Sequence, residues 1–349
     1  MPYSLTVADF LQAETPILDV RSPAEFAQGH IPGAVSFPLF SDEERAQVGT
    51  CYKHQGRDAA VELGFAIVGP KLASFLTQAK ALAPHRQVRL HCWRGGMRSE
   101  AVAWALEMAG FQVTTLVGGY KAFRRWALAT FHEKRPIVIL GGMTGTGKTE
   151  ILHALAAAGE PVLDLEAIAN HRGSSFGAIG LPPQPTNEQF ENEIALQWSR
   201  FNPQRPVWIE AESKRIGLCR IPEALFRQMD DAPILEVVRS YEERLQHLID
   251  IYGAFSTDAL VTATERIRKR LGGLRTQEAI AYLRERRLAE ALHIILTYYD
   301  KTYTYDLQRR NVTVVPVNLV GCSARQGAQR LIAAAQHLQA HPIPLKQCN

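Results

Sequence analysis

Two short stretches hold residues whose types and spacing suit chemistry. The first is "RLHCWRGGMRSEAV", residues 89–102, where Cys92 ends an apolar run and Arg94, Gly95, Gly96 and Arg98 follow before Ser99 opens a helical pattern. A thiol there faces loop N–H groups, a helix N-terminus and two guanidinium groups. Each favours the thiolate, so its pKa is expected to fall from about 8.5 towards neutrality. The same field binds a tetrahedral oxyanion. The spacing is Cys-x5-Arg, which leaves sulfur, selenium and phosphate transfer all open. A phosphatase would also need a general-acid carboxylate that the sequence does not place.

The second stretch is "GGMTGTGKTEILHALAAAG", residues 141–159. Gly142, Thr144, Gly145, Thr146, Gly147, Lys148 and Thr149 fit G-x-x-x-x-G-K-[ST], between a β-branched strand pattern and an Ala-rich helical one, which is the context of a P-loop. Consecutive N–H groups converge on one anion, Lys148 reaches the phosphates, and the Thr149 hydroxyl suits magnesium. The expected ligand is a polyphosphate; ATP does not follow from the motif.

Acidic residues at strand ends come next. Asp164 and Glu166 in "VLDLE", and Glu210 and Glu212 in "WIEAES", are expected where sheet carboxylates meet a phosphate crevice. Either pair could hold magnesium or act as a general base, or else cap a helix or form an ion pair. "ANHRGSSFGAIGLPPQP", residues 169–185, packs His171, Arg172, Ser174 and Ser175 among glycines, a density that suits a ligand-gripping loop.

The elements that must position these residues are legible in outline. "PILDV" (16–20), "QVRLH" (87–91) and "VTTLV" (113–117) predict buried strands, and residues 99–110 a helix with a glycine stop. "PIVIL" (136–140) starts a second unit, with further strands over 161–166, 206–213, 232–238 and 312–319 and helices over 240–252 and 324–338. Strand–helix alternation predicts an α/β fold with mostly parallel sheets in both units. Residues 257–300 predict a helical insertion.

A chain of 349 residues exceeds one comfortable core, so two domains, 1–127 and 128–349, are expected. Five scattered cysteines (51, 92, 219, 322, 348) without CxxC spacing argue against a disulfide framework or a structural zinc site and for a reducing cytoplasm. No apolar run of membrane-span length and no leader pattern is expected, hence no membrane. The net charge of +4 permits a polyanionic partner without requiring one. Residues 264–287 carry eight Arg or Lys against three Glu, either a solvated face or a phosphate-backbone contact.

Asp19-Val20-Arg21, Glu25-Phe26, the run Gly29–Ala34 and the Cys92 loop, in that order, resemble the rhodanese homology domain. In that family the cysteine carries sulfur as a persulfide, usually on a loop one residue shorter. A rhodanese-like domain followed by a P-loop domain is a rare pairing. Together with "DEERAQVGTCYKHQGRDAAVELG" (42–64), "LVGGYKAFR" (116–124), "LDLEAIANHRGSSFG" (163–177), "QPTNEQFENEIA" (184–195), "WIEAESKRIG" (208–217) and "YYDKTYTYDL" (298–307), it resembles the tRNA 2-selenouridine synthase family over nearly the full chain. Ala211 departs from the acid associated with that family, which weakens a carboxylate cluster there.

The resemblance implies two steps on the wobble 2-thiouridine of tRNA. Geranyl diphosphate alkylates the sulfur, and selenium from selenophosphate then displaces the S-geranyl group. It implies that the P-loop cradles the diphosphate, with magnesium near Thr149, and that Cys92, Arg94 and Arg98 accept or deliver selenium. His171, Arg172, Ser174, Ser175, Lys214 and Arg215 become candidate nucleotide or diphosphate contacts. Tyr298, Tyr299, Tyr303 and Tyr305 either stack on anticodon bases or pack helices. A selenophosphate-supplying enzyme is an expected partner. The rival expectation is an ATP-dependent kinase or NTPase fused to a sulfurtransferase or phosphatase-like domain that does not act on tRNA.

Overall fold

The computed structural model describes residues 3–340; Cys348 lies outside them. The chain forms two compact α/β units that divide between Thr130 and Phe131, with the short stretch Glu191–Leu196 belonging to the first.

The first unit carries five parallel strands: β1 (Tyr3–Leu5), β2 (Ile17–Asp19), β3 (Ala34–Ser36), β4 (Gln87–His91) and β5 (Gln112–Leu116), in the order β1-β5-β4-β2-β3. β2 and β4 are central and almost wholly buried, which is why they are written as continuous apolar runs. A buried cluster including Leu18, Val20, Leu90, Val102 and Leu106 fixes the end of β4, and Cys92 itself belongs to it. Helices start on local signals. Ser22 and Glu25 form a capping box at Pro23–Gln28, and Ser41 and Glu44 form another at Asp42–Gln55.

One expectation is corrected here. Helices Arg57–Val68 and Leu72–Leu82 run on through a single 3-10 turn, so that Arg57–Leu82 is long and apolar enough to cross a membrane by length and composition alone. Glu62, Pro70, Lys71 and Lys80 interrupt the apolar sequence, so no unbroken apolar run is visible, yet the mean hydropathy is high. Ala60, Val68, Phe75 and Ala79 from this stretch enter the core of the unit.

The second unit holds β6 (Ile137–Gly142), β7 (Val162–Leu163), β8 (Val207–Glu210), β11 (Ile234–Val238) and β12 (Val314–Asn318), all parallel, in the order β12-β11-β6-β8-β7. A small antiparallel hairpin, β9 (Arg215–Ile216) and β10 (Cys219–Arg220), stands apart from that sheet. Val138, Leu140, Leu152, Leu155, Trp208 and Leu331 pack the sheet against helices Lys148–Ala157 and Ala324–Ala340. Residues 257–309 are helical apart from short breaks and share a second core with Leu248 and Tyr252.

Candidate functional site: a thiol cradle and a P-loop with three glutamates

In the first unit, Cys92 sits where β4 ends, and its loop runs into helix Met97–Met108. The residue is only 3% exposed. Gly96 N–H donates to its Sγ at 3.4 Å and the Ser99 hydroxyl at 3.3 Å. Burial pushes the thiol up, but the Ser99 hydroxyl and the N–H groups of Gly96, Arg94 and Ser99 outweigh it, and the net shift is downward. Ser99 was not singled out for this role in the sequence; three residues after Gly96, the first helical turn folds its hydroxyl back onto the sulfur. Arg94 is exposed, and Arg98 is held by Glu25, Nη1 to Oε2 at 2.7 Å. Backbone and hydroxyl donors therefore stabilise the thiolate, while the two guanidinium groups stand at the rim.

The loop rests on "LVGGYKAFR". Tyr120 N–H donates to the Cys92 carbonyl and Lys121 N–H to that of Trp93, at 2.9 and 3.0 Å. Gly119 has φ +60°, and a Cβ there would lie 2.5 Å from the Cys92 oxygen and from the Gly95 nitrogen. Only glycine allows that approach. Beneath, the Asp19-Val20-Arg21 motif is a buried brace. Arg21 donates from Nε to Asp19 at 2.9 Å and from Nη2 to the Gly29 carbonyl at 2.7 Å, with its guanidinium 3.7 Å above the Tyr120 ring. His91 beside it is fully buried, and burial lowers its pKa to about 4, so it is neutral.

In the second unit, β6 delivers the P-loop into helix Lys148–Ala157. Gly142, Gly145 and Gly147 all have positive φ. The loop carbonyls are tied from behind: Arg244 Nε donates to Thr144 O at 2.9 Å, and Arg239 Nε to Thr146 O at 3.0 Å. Arg244 is itself buried and paired with Asp300. With carbonyls engaged, N–H groups are left to face an anion. Lys148 Nζ donates to the Gly142 carbonyl at 2.9 Å. A cavity of about 400 Å³ opens on Gly145, Thr146 and Gly147, and Glu150, Arg239, Glu243, Gln246, His247, Asp250 and Ala324 form its other walls.

Glu166, Glu210 and Glu212 converge, with carboxylate oxygens within 4.8 Å of one another. Thr149 Oγ1 lies 3.4 Å from Glu166 Oε2. Burial pushes all three carboxyls up, and mutual repulsion adds to it at Glu210 and Glu212. Glu212 is pushed up to about 8 by burial, the Glu166 charge and a hydrogen bond to Glu166. Glu210 is 1% exposed, and its Oε1 has no hydrogen-bond partner among the described residues. Three clustered oxygen donors, one of them buried and unpaired, fit a hard divalent cation. The cluster forms although Ala211 separates two of its members. Gly173 closes it: a Cβ there would collide with Glu212 Oε1 and Glu166 Oε1.

Other residues singled out in the sequence sit elsewhere in this unit. Asp164 caps helix Leu165–Ala169 through Ala167 N–H at 2.8 Å and faces His153. His171 is buried against Gly177 and Gly217, with burial lowering its pKa. Arg172 donates to the Ile179 carbonyl, Ser174 accepts from Phe176 N–H, and Ser175 N–H donates to the Tyr299 hydroxyl. The 169–185 segment is thus an internally bonded loop, pinned by Gln184, which donates to the Ala169 and Ile216 carbonyls. Lys214 pairs with Glu223, and Arg215 lies on the β9–β10 hairpin. Tyr299 and Tyr303 are half-buried, Tyr298 packs on Tyr299, and Tyr305 is exposed. In "YYDKTYTYDL" Asp300 reaches the P-loop through Arg244, and the Tyr303 hydroxyl lies against Gly141.

The comparisons with known proteins address both units. Residues 6–125 match the rhodanese-like domain, and residues 135–319 match the tRNA 2-selenouridine synthase AAA domain. A tRNA 2-selenouridine synthase of Marinobacter nauticus is 36% identical, over 85% of this chain and 89% of its own. The chain belongs to the tRNA 2-selenouridine synthase family. The Bordetella bronchiseptica member is 37% identical over 86% of this chain and 91% of its own. Among solved structures, the N-terminal domain of an ATP/GTP binding protein from Clostridium difficile 630 is 38% identical, covers 36% of this chain and 98% of its own, and superposes with a TM-score of 0.35. The rhodanese and P-loop expectations for the fold hold, and the chain is placed among enzymes that modify tRNA.

Proposed function

We propose that the chain converts the wobble 2-thiouridine of tRNA to 2-selenouridine through an S-geranyl intermediate. The observation that carries the reading is the Cys92 thiol, lowered by four converging donors at an anion-binding loop, in a chain of this family. Geranyl diphosphate is the alkyl donor. The P-loop N–H groups and Lys148 bind its diphosphate and stabilise the charge that develops as it leaves. Glu166, Glu210 and Glu212, with Thr149, would hold magnesium, which when bound neutralises that leaving group further. Alkylation turns the sulfur into a leaving group. The Cys92 loop binds selenophosphate, and Cys92 handles its selenium, with Arg94 and Arg98 at the rim drawing in the anion. A selenophosphate-supplying enzyme is the partner this requires, and the cytoplasm is the compartment.

The test uses purified protein, thiolated tRNA, geranyl diphosphate and selenophosphate, with digested nucleosides read by mass spectrometry. Selenouridine should form, and Cys92→Ser should stop at the geranylated nucleoside; normal selenation by that variant overturns the role given to Cys92. The cavity at Gly145–Gly147, with Arg239 and His247 in its lining, favours a second reading, a nucleoside polyphosphate at the P-loop. Rapid ATP hydrolysis without tRNA would support it.

A further inference from the structure

Beside the Cys92 loop lies a groove of about 360 Å³ whose lining is mostly apolar. Leu39, Phe40, Val61, Phe65, Val68 and Met97 line it, and Arg57, Arg98 and Glu100 supply its polar edge. Met97 and Arg98 directly follow Gly96, the residue whose N–H donates to the Cys92 sulfur. The groove therefore begins one helical turn from the thiol. Apolar side chains that face solvent cluster here: Tyr52, Phe65 and Met97 are 54%, 64% and 46% exposed, and all three line it. Lone exposed apolar residues need no explanation, whereas a cluster walling one cavity does.

We infer that this groove seats the prenyl chain of the S-prenylated nucleoside while selenium replaces sulfur; the inference rests on the S-geranyl reading above. The volume is at the lower end of ligand pockets, roughly 300–1,000 Å³, and suits a branched hydrocarbon chain. Its lining offers little to a phosphate or a base. The groove shares Met97 and Arg98 with the loop that carries the thiol, and this assigns it to the exchange step. In that exchange the selenium of selenophosphate, held in the Cys92 loop, forms the C2–Se bond, the C2–S bond breaks, and the prenyl thiolate leaves with the electron pair and takes a proton. Water then cleaves the Se–P bond, releasing phosphate and leaving 2-selenouridine. Holding the chain orients the departing sulfur and keeps the thiol product out of water.

The experiment supplies full-length protein with selenophosphate and two anticodon stem-loop RNAs, one S-geranyl and one S-methyl at the wobble 2-thiouridine, and takes the ratio of their kcat/KM values. Gly64→Leu fills the groove from its helical wall, where a Cβ meets nothing closer than the Phe40 ring at 3.6 Å. Phe65→Glu places a charge on the exposed rim without touching the core. In the wild type the S-geranyl RNA should be preferred. Both variants should lower the ratio by roughly tenfold to a hundredfold, the cost of one or two methylene groups denied a pocket. Equal ratios in wild type and variants overturn the groove inference while the S-geranyl reading stands. Exchange on neither RNA by the wild type overturns that reading, and the groove inference with it.

Discussion

Ser99→Ala gives the sharpest check on the thiol cradle. The Ser99 hydroxyl has one proton and two acceptors in reach, Cys92 Sγ at 3.3 Å and the Gly96 carbonyl at 3.0 Å. Ionisation of the thiol draws that proton to sulfur, so the bond is worth most in the thiolate. A hydrogen bond to a charged group is worth about 1.5–3 kcal/mol, and giving up the Gly96 bond returns part of it. A net of about 1.4 kcal/mol corresponds to one pKa unit. The thiolate fraction near neutral pH then falls about tenfold, but a more basic thiolate is the better nucleophile, with a Brønsted slope of roughly 0.4–0.5. Alkylation of Cys92 should slow by only about three- to fourfold near pH 7. Above both pKa values the variant should react as fast as the wild type, or faster. The assay is the pH–rate profile of iodoacetamide labelling, read at the Cys92 peptide by mass spectrometry. The apparent pKa comes from the shape of the curve, so the low exposure of the sulfur does not enter. An unchanged midpoint in Ser99→Ala, or a wild-type midpoint at the ordinary thiol value, refutes the cradle.

The carboxylate cluster predicts a pH dependence of stability. Folded pKa values raised above the unfolded ones mean that the native state binds more protons between about pH 4.5 and the value near 8 at Glu212, so stability falls as pH rises through that window. Thermal melts in a chelator should drop from pH 5 to pH 8, magnesium should restore them, and Glu210→Gln should flatten both effects. Lys148→Ala should weaken diphosphate binding by roughly 10- to 100-fold in calorimetry, as loss of one charge-assisted bond does. Gly119→Ala forces a methyl into the Cys92 and Gly95 backbone at positive φ, and should cost at least ~2 kcal/mol and about 5 °C in Tm. Asp300→Ala strands the buried Arg244 charge and should cost about 2–3 kcal/mol with weaker phosphate binding, whereas Tyr305→Ala should be close to neutral.

What the sequence disclosed followed the range of the interactions involved. The P-loop is local: its glycines, Lys148 and Thr149 lie within eight residues, so the motif and its flanking elements announce it. Strands β2, β4, β6 and β11 were legible because burial on both faces forces continuous apolar runs. β1 and β3 are partly exposed rather than buried on both faces, so neither is written as a continuous apolar run. "PVLDLE" promised a longer strand, but Asp164 accepts the Ala167 N–H and turns the chain into a helix after Leu163. Arg239, Arg244 and Asp300 support the P-loop from 93 to 156 residues away, so no spacing rule could connect them. Glu210 and Glu212 were visible as strand-end acids. That Glu166 joins them, and that Gly173 must be glycine to let them meet, is known only once β7 and β8 lie side by side.

The contact between Gly119 and the Cys92 loop makes two separate strings of the chain a single mechanical part. The thiol loop cannot be lengthened, shortened or exchanged with that of a relative unless the "VGGY" turn changes with it, because the backbone of one is the floor of the other. A chimera that carries only residues 92–98 from a shorter-looped rhodanese should misplace its sulfur, even with every donor to it retained. One that carries both strings should regain the reactive thiol. The unit of inheritance in this domain is the pair.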